Sequence, residues 1–250
     1  MFAFIRGWTD VDRTTQANVR LGAFLAFVAG AVNAGGFLAV GQHTSHMSGM
    51  LASVADNAVL GEAGLAVAAV GALLAFVAGA MTTAILVNWG LRQRLHSAYG
   101  LPLLVEAAGL LVLGATGSAA ALHGAWSVPL TVLLLCYVMG MQNAVITKIS
   151  RAEIRTTHVT GLITDIGIEL GKLLYINPRE SGGEPVRANR QKLRLHSLLV
   201  ACFLVGGFAG GVGFRHAGFV ITVPLAIGLL LLPLRPFLKD VRQHLPAIAR

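Results

Sequence analysis

Two short polar signatures interrupt an otherwise apolar chain. Thr44 to Met50 reads TSHMSGM and Thr156 to Leu162 reads TTHVTGL. Each follows a second shared element, GAVNA at Gly30 to Ala34 and GMQNA at Gly140 to Ala144. The common pattern is G-x-x-N-A, a gap, then T-[ST]-H-x-[ST]-G, with two extra residues in the second gap. A hydroxyl followed by glycine at a helix start is a capping arrangement. The oxygen accepts from early backbone N–H groups, and the glycine lets a ligand or a second backbone come close. The first turn also has N–H groups with no intrahelical partner and lies at the positive end of the helix dipole. Ser48 with Gly49, and Thr160 with Gly161, are therefore expected to form two sites for an anion or polar solute if their helices begin inside a membrane. If the helices lie shallow, the same residues only cap interfacial helices.

The recurring histidines, His46 and His158, titrate near neutrality when unperturbed, although a satisfied interfacial histidine is the plainer reading. Asn33 and Asn143 fall near the ends of apolar runs, where an amide cross-links helices as readily as it binds substrate. Three carboxylates are candidates for proton coupling. Glu106, in LPLLVEAAGLLVLG, has apolar neighbours on all sides, and a charge there costs roughly 2.5 to 3.5 kcal/mol on insertion scales. It is expected to face the protein interior or water, with a packed, hydrogen-bonded acid as the alternative. Asp165 and Glu169 are one helical turn apart and share a face, so they require a cation, a basic partner or a proton. The matching first-half positions are Ser53 and Asn57, so this acidic pair is not repeated.

The elements that must position these groups are apolar helices. Of 250 residues, 55% are hydrophobic and 12% charged, against about 25% charged in soluble domains. Mean hydropathy is +0.72. Runs of membrane-spanning length, judged against a hydrocarbon layer of ~30 Å, cover Leu21 to Gln42, Gly64 to Trp89, Tyr99 to Thr116, Val128 to Thr147, Leu195 to Phe214 and Ala217 to Leu234. Ser48 to Gly61 and Thr160 to Tyr175 are helical but carry acids, which makes them poor spans. Cys136 and Cys202 lie inside apolar runs and read as packing residues.

The net charge of +8 would suggest nucleic acid in a soluble protein, but the basic residues lie between the apolar runs and not on one patch. With six spans and the N-terminus inside, every lysine and arginine except Arg215 collects on one face. If both polar segments crossed as well, Arg92, Arg94, Lys148, Arg151 and Arg155 would change sides and the positive-inside bias would weaken. Six spans with both termini cytoplasmic is the expected topology. Residues 1–20 form a cytoplasmic segment, 21–117 a first repeat, 127–234 a second repeat with a basic cytoplasmic loop at 176–194, and 235–250 a cytoplasmic tail. Three spans per repeat make the second copy enter upside down, so the fold class is an all-α membrane protein of two inverted three-helix repeats, each with a re-entrant or interfacial half-helix. A weaker echo pairs FVAGA at Phe76 to Ala80 with FLVGG at Phe203 to Gly207.

The segment from Gly30 to Gly49, with GMQNA and TTHVTG, resembles the YoaK family of bacterial integral membrane proteins, a domain family of unknown function. The likeness runs from about Leu21 to Leu234. It implies a bacterial cytoplasmic-membrane location and supplies no substrate. It also implies Asp where this chain has Asn33, and Asn where it has Met50. A small-solute or anion transporter or channel fits these features best, with a membrane accessory or sensor protein as the alternative. An enzyme is not expected, since the chain has neither an H-E-x-x-H pair nor a G-x-S-x-G elbow. No metal or other cofactor is expected, and no nucleic acid. The expected partners are the lipid bilayer and a small solute, with a second copy of the chain left open.

Overall fold

In the computed structural model the described residues are 8–11, 13–120, 127–177 and 184–248, and they fold into helices without a strand. In order these are α1 (Thr15–Val40), α2 (Met47–Val59), α3 (Ala63–Arg92), α4 (Leu101–Ala120), α5 (Ser127–Ser150), α6 (Val159–Leu174), α7 (Arg190–Ala217), a 3-10 turn (Gly218–Ile221), α8 (Thr222–Leu231) and α9 (Leu234–Ile248). Four runs are long and apolar enough to cross a membrane: Thr15–Val40, Ala63–Arg92, Pro129–Ser150 and Arg190–Leu231, while Leu101–Ala115 is a shorter apolar helix. The protein is a multi-pass membrane protein. Parts of the expected segments at 1–20, 176–194 and 235–250 lie outside the described residues. Within the last of these, the expected tail contains the helix α9.

α1 packs along α7, and α3 packs along α5. Both pairs are fastened by glycines that stand three residues after an aromatic. A Cβ added at Gly30 would fall on the carbonyl oxygen of Phe203, and one at Gly206 on that of Phe27. In the other pair, Gly79 meets the Tyr137 carbonyl and Gly140 meets that of Phe76. Apolar side chains gain little by leaving lipid for each other, so membrane helices associate where small residues let backbones touch. These four positions are such contacts. Across the second pair, the Thr83 hydroxyl also donates to the Met141 carbonyl at 3.1 Å and the Tyr137 hydroxyl to Thr82 at 2.9 Å.

α1 and α5 form the inner layer. About half of their apolar windows is buried, 50% and 56%, against 17% for α3 and 22% for the α7–α8 run. The outer helices present Val70, Leu74, Val77, Met81 and Ile85 on α3 and Leu204, Val205, Phe208 and Val212 on α7, a surface suited to acyl chains. Cys136 is buried beside Met50 and Ala72, and both cysteines are free thiols. The inner helices run antiparallel, because Arg13, just before α1, donates to the carbonyl of Ile149 near the end of α5 at 2.9 Å.

The apolar run expected over 217–234 is divided. Phe214 packs on Gly35, yet Gly228 is already back beside Phe24, so the chain reverses after α7. Gly218 makes that reversal at φ 57°, leaving α8 with 10 residues. α8 returns antiparallel to α4: the Thr222 hydroxyl donates to the Leu110 carbonyl at 2.7 Å, and Gly100 abuts Pro233.

The helix crossings generate a stability prediction. Gly30→Ala or Gly140→Ala forces a methyl onto a partner backbone that cannot move aside, and each is expected to cost about 1 to 3 kcal/mol or to prevent insertion. Gly64→Ala, in open space on α3, is expected to be neutral or to gain about 0.4 to 1 kcal/mol. Thermal denaturation of the detergent-purified variants measures the contrast, and equal melting of all three would remove the crossings as the fastening.

Candidate functional site

The two polar signatures, far apart in the chain, line one cavity of about 540 Å³. Its wall includes Asn33, Ser45, His46 and Ser48 from the first, and Thr157, His158, Thr160 and Gly161 from the second, with Phe76 and Phe203 beside them. The aromatic pair reports depth. Phe76 is near the middle of the 30-residue α3 and Phe203 near the middle of the 28-residue α7. The starts of α2 and α6 therefore share a cavity wall with residues at the mid-level of the long helices. Gly49 and Asn143, also expected at the site, are not on this wall.

The two signatures hold their shape by the same contacts. The Ser45 hydroxyl donates to Asn33 Oδ1 at 2.8 Å, and the Thr157 hydroxyl donates to Asn143 Oδ1 at 2.6 Å. Each asparagine is three residues beyond a glycine that touches the partner helix, so G-x-x-N fixes a helix crossing and, one turn on, grips the following loop. Thr44 and Thr156 are fully buried behind the loop, and neither hydroxyl has a hydrogen-bond partner among the described residues. Met50, where the resemblance implied a polar residue, is buried in a small apolar cluster. Asn33 uses the nitrogen that Asp would lack, with Nδ2 3.1 Å from Nδ1 of His43.

Ser48 and Thr160 do not cap their helices as expected. α2 starts at Met47 with His46 as its N-cap, and α6 starts at Val159 with His158 as its N-cap; neither histidine makes a side-chain cap bond. The reason is a helix start one residue earlier than the hydroxyl, which places Ser48 and Thr160 within the first turn, on the cavity wall. The halves differ at the glycines. A Cβ on Gly49 would strike the His46 imidazole, whereas one on Gly161 meets nothing within 4 Å.

Gly161 also lines a second cavity of about 550 Å³, with Glu153, Arg155, Asp165, Lys192 and His196. Here the acidic pair of α6 finds basic partners. Asp165 pairs with Lys192 at 3.1 Å and approaches Nδ1 of His196 at 3.5 Å. Glu169, buried, accepts from Lys172 at 2.8 Å and from the Asn189 backbone N–H at 2.6 Å. The Lys172 ammonium, and after it the Asn189 amide, hold the Glu169 carboxyl below the usual carboxylate range. Asn189 is itself the N-cap of α7, so Glu169 ties α6 to the start of α7. Glu106 lines neither cavity. It is fully buried and accepts from Gln142 Nε2 at 3.0 Å, holding α4 against α5. Gln142 lies inside the repeated GMQNA element, but only the packing of α4 reveals its partner. Phe76 and Phe203 were visible in the sequence as an echo and not as cavity walls, because an aromatic amid apolar residues carries no polar signal.

The chain belongs to the family described as protein of unknown function (DUF1275), whose model matches residues 21–234. No curated protein and no solved structure matches it significantly.

Two outcomes follow from the grip of the asparagines and the tie at Glu169. A double-mutant cycle of Asn143→Ala with Thr157→Val is expected to give a coupling of about 0.5 to 1.5 kcal/mol in thermal or denaturant unfolding; additive effects would mean that the bond does not hold the loop. The Glu169 carboxylate has a lowered folded pKa, so its contribution is full above the ordinary Glu value of about 4.3. It is lost as pH falls through the folded value. Glu169→Gln should flatten that acid limb of the stability profile, and an unchanged limb would assign it to other groups.

Proposed function

We propose that this member of the DUF1275 family is a small transporter or channel whose solute site is the cavity between the starts of α2 and α6. One observation carries the reading: the repeated signatures meet at the middle of the long helices, with two uncapped helix starts and two hydroxyls facing one space. First-turn N–H groups and the positive helix ends favour an anion or an electron-rich polar solute. The second cavity, sharing Gly161, is the approach to that site from the side of the basic loops. No cofactor and no enzymatic step enter this reading.

An inverted two-repeat architecture with six crossings is part of the same proposal. It is supported by the antiparallel α1 and α5, by the matched pairings of α1 with α7 and α5 with α3, and by the antiparallel return of α8 along α4. The charge distribution favours both termini on the cytoplasmic side, and the resemblance to the YoaK family favours a bacterial cytoplasmic membrane.

Flux of chloride, phosphate and glutamate into proteoliposomes tests the function, with Gly161→Leu as the diagnostic variant. That side chain would fill the neck between the two cavities, so flux is expected to fall at least about tenfold in a well-inserted protein, since a blocked path need raise the barrier by only about 1.4 kcal/mol to do so. Flux in Gly161→Leu equal to the parent's would remove the path, and an inert parent with every solute would favour an accessory role. For topology, single cysteines at Arg92, Ser150 and Glu184 should be shielded from an impermeant thiol reagent applied outside. Labelling at Ser150 would overturn the six-crossing arrangement. The companion site at Gly124, expected to react from outside, lies outside the described residues.

A further inference from the structure

α9 begins within three residues of the end of α8 and is clamped by one face to the turn between α3 and α4. The Asp240 carboxylate accepts from the backbone N–H of His96 and of Ser97, both at 2.9 Å, and from the Ser97 hydroxyl at 2.6 Å, with His96 Nδ1 at 3.0 Å. Pro236, one turn earlier on the same face, is buried as well. The helix is thereby held across the ends of α3, α4 and α8, by the turn where the apolar run of α3 gives way to Arg92 and Arg94.

Over residues 234–243 its other faces are largely exposed and sorted by chemistry. At 3.6 residues per turn, Phe237, Leu234 and Leu238 fall on one arc, 39%, 40% and 46% exposed. Arg242, Arg235 and Lys239 fall on the adjoining arc, where they surround a hollow of about 380 Å³ with Leu238 at its edge. Lys239 lies 3.5 Å from Asp10; Arg235 and Arg242 have no ion pair among the described residues. An apolar stripe beside a cationic stripe, on a helix fixed at a membrane boundary, suits the acyl and headgroup portions of one lipid.

We propose that α9 is an interfacial helix that binds an anionic phospholipid, with Arg235, Lys239 and Arg242 holding the headgroup phosphate and Phe237, Leu234 and Leu238 resting on its acyl chains. The charge complementarity names the occupant: three cations around one hollow favour a phosphate that carries no compensating ammonium, so phosphatidylglycerol binds and phosphatidylcholine does not compete.

The full-length protein in phosphatidylcholine vesicles, probed with spin-labelled phosphatidylglycerol or spin-labelled phosphatidylcholine, reads this directly as the ratio of immobilised lipid. The parent should prefer phosphatidylglycerol, and Arg235→Gln, Lys239→Gln and Arg242→Gln together should lower that preference at least about fivefold. The control triple Arg187→Gln, Arg190→Gln and Arg194→Gln removes as many exposed cations elsewhere and should leave it. Arg242→Gln alone, expected to cause part of the loss, keeps the test decisive if the α9 triple does not insert. An unchanged preference in the α9 variants, or an equal loss in the control, overturns the proposal. Displacement of the labelled lipid by inorganic phosphate beyond that by sodium chloride of equal ionic strength also overturns it, by making the hollow a site for free phosphate.

Discussion

Inside a bilayer the hydrophobic effect does not press one helix against another, so the fold depends on places where two backbones can touch. Four aromatic-x-x-glycine steps supply them here, each glycine seated on the carbonyl of the partner's aromatic. The consequence reaches the cavity directly. Phe76 and Phe203 present their carbonyls to Gly140 and Gly30 and also stand in the cavity wall. The contact that holds the outer helices to the inner pair thus also sets the width of the space between them.

Irregular backbone inside a bilayer is tolerated only where protein or water surrounds it. The loops leading into α2 and α6 meet that condition through the asparagine one turn beyond each inner glycine, whose side-chain oxygen takes the hydroxyl of Ser45 or Thr157. Behind each loop a fully buried threonine fills the gap toward the inner helix. Crossing, grip and helix start follow one another along the chain in a fixed order, which is why the repeated pattern extends over G-x-x-N-A and T-[ST]-H-x-[ST]-G together and neither half of it occurs alone.

Much of this was legible because polar residues in an apolar frame are conspicuous. The signatures, the apolar character of the long helices and the basic loops could be read directly, and residues of both signatures line one cavity. What escaped the reading depends on distance between segments. The glycine pairings need the partner helix, and sequence alone offered only the echo at Phe76 and Phe203. The basic partners of Asp165 and Glu169 come from the next helix and from one turn along α6, and only folding shows that they answer the repulsion. The helix starts at Met47 and Val159 sit one residue ahead of the hydroxyls because histidine, with no side-chain cap bond, occupies the N-cap in both. Gly218 could not be distinguished from the other glycines of its apolar run until the reversal was seen.

The two halves depart from each other in a consistent direction. On the α2 side the glycine is covered by the His46 ring, and the helix positions matching the acids are Ser53 and Asn57. On the α6 side the glycine is bare, and beyond it lies a second cavity lined by charges of both signs. A solute drawn by the helix starts would meet a closed wall toward α2 and an open neck toward α6. On the proposed reading as a transporter, this would be the conformation open toward the basic loops beside that cavity. Under that same proposal, a conformation open the other way would have to uncover Gly49 and close over Gly161, and the side chain lying against Gly49 is the imidazole of His46.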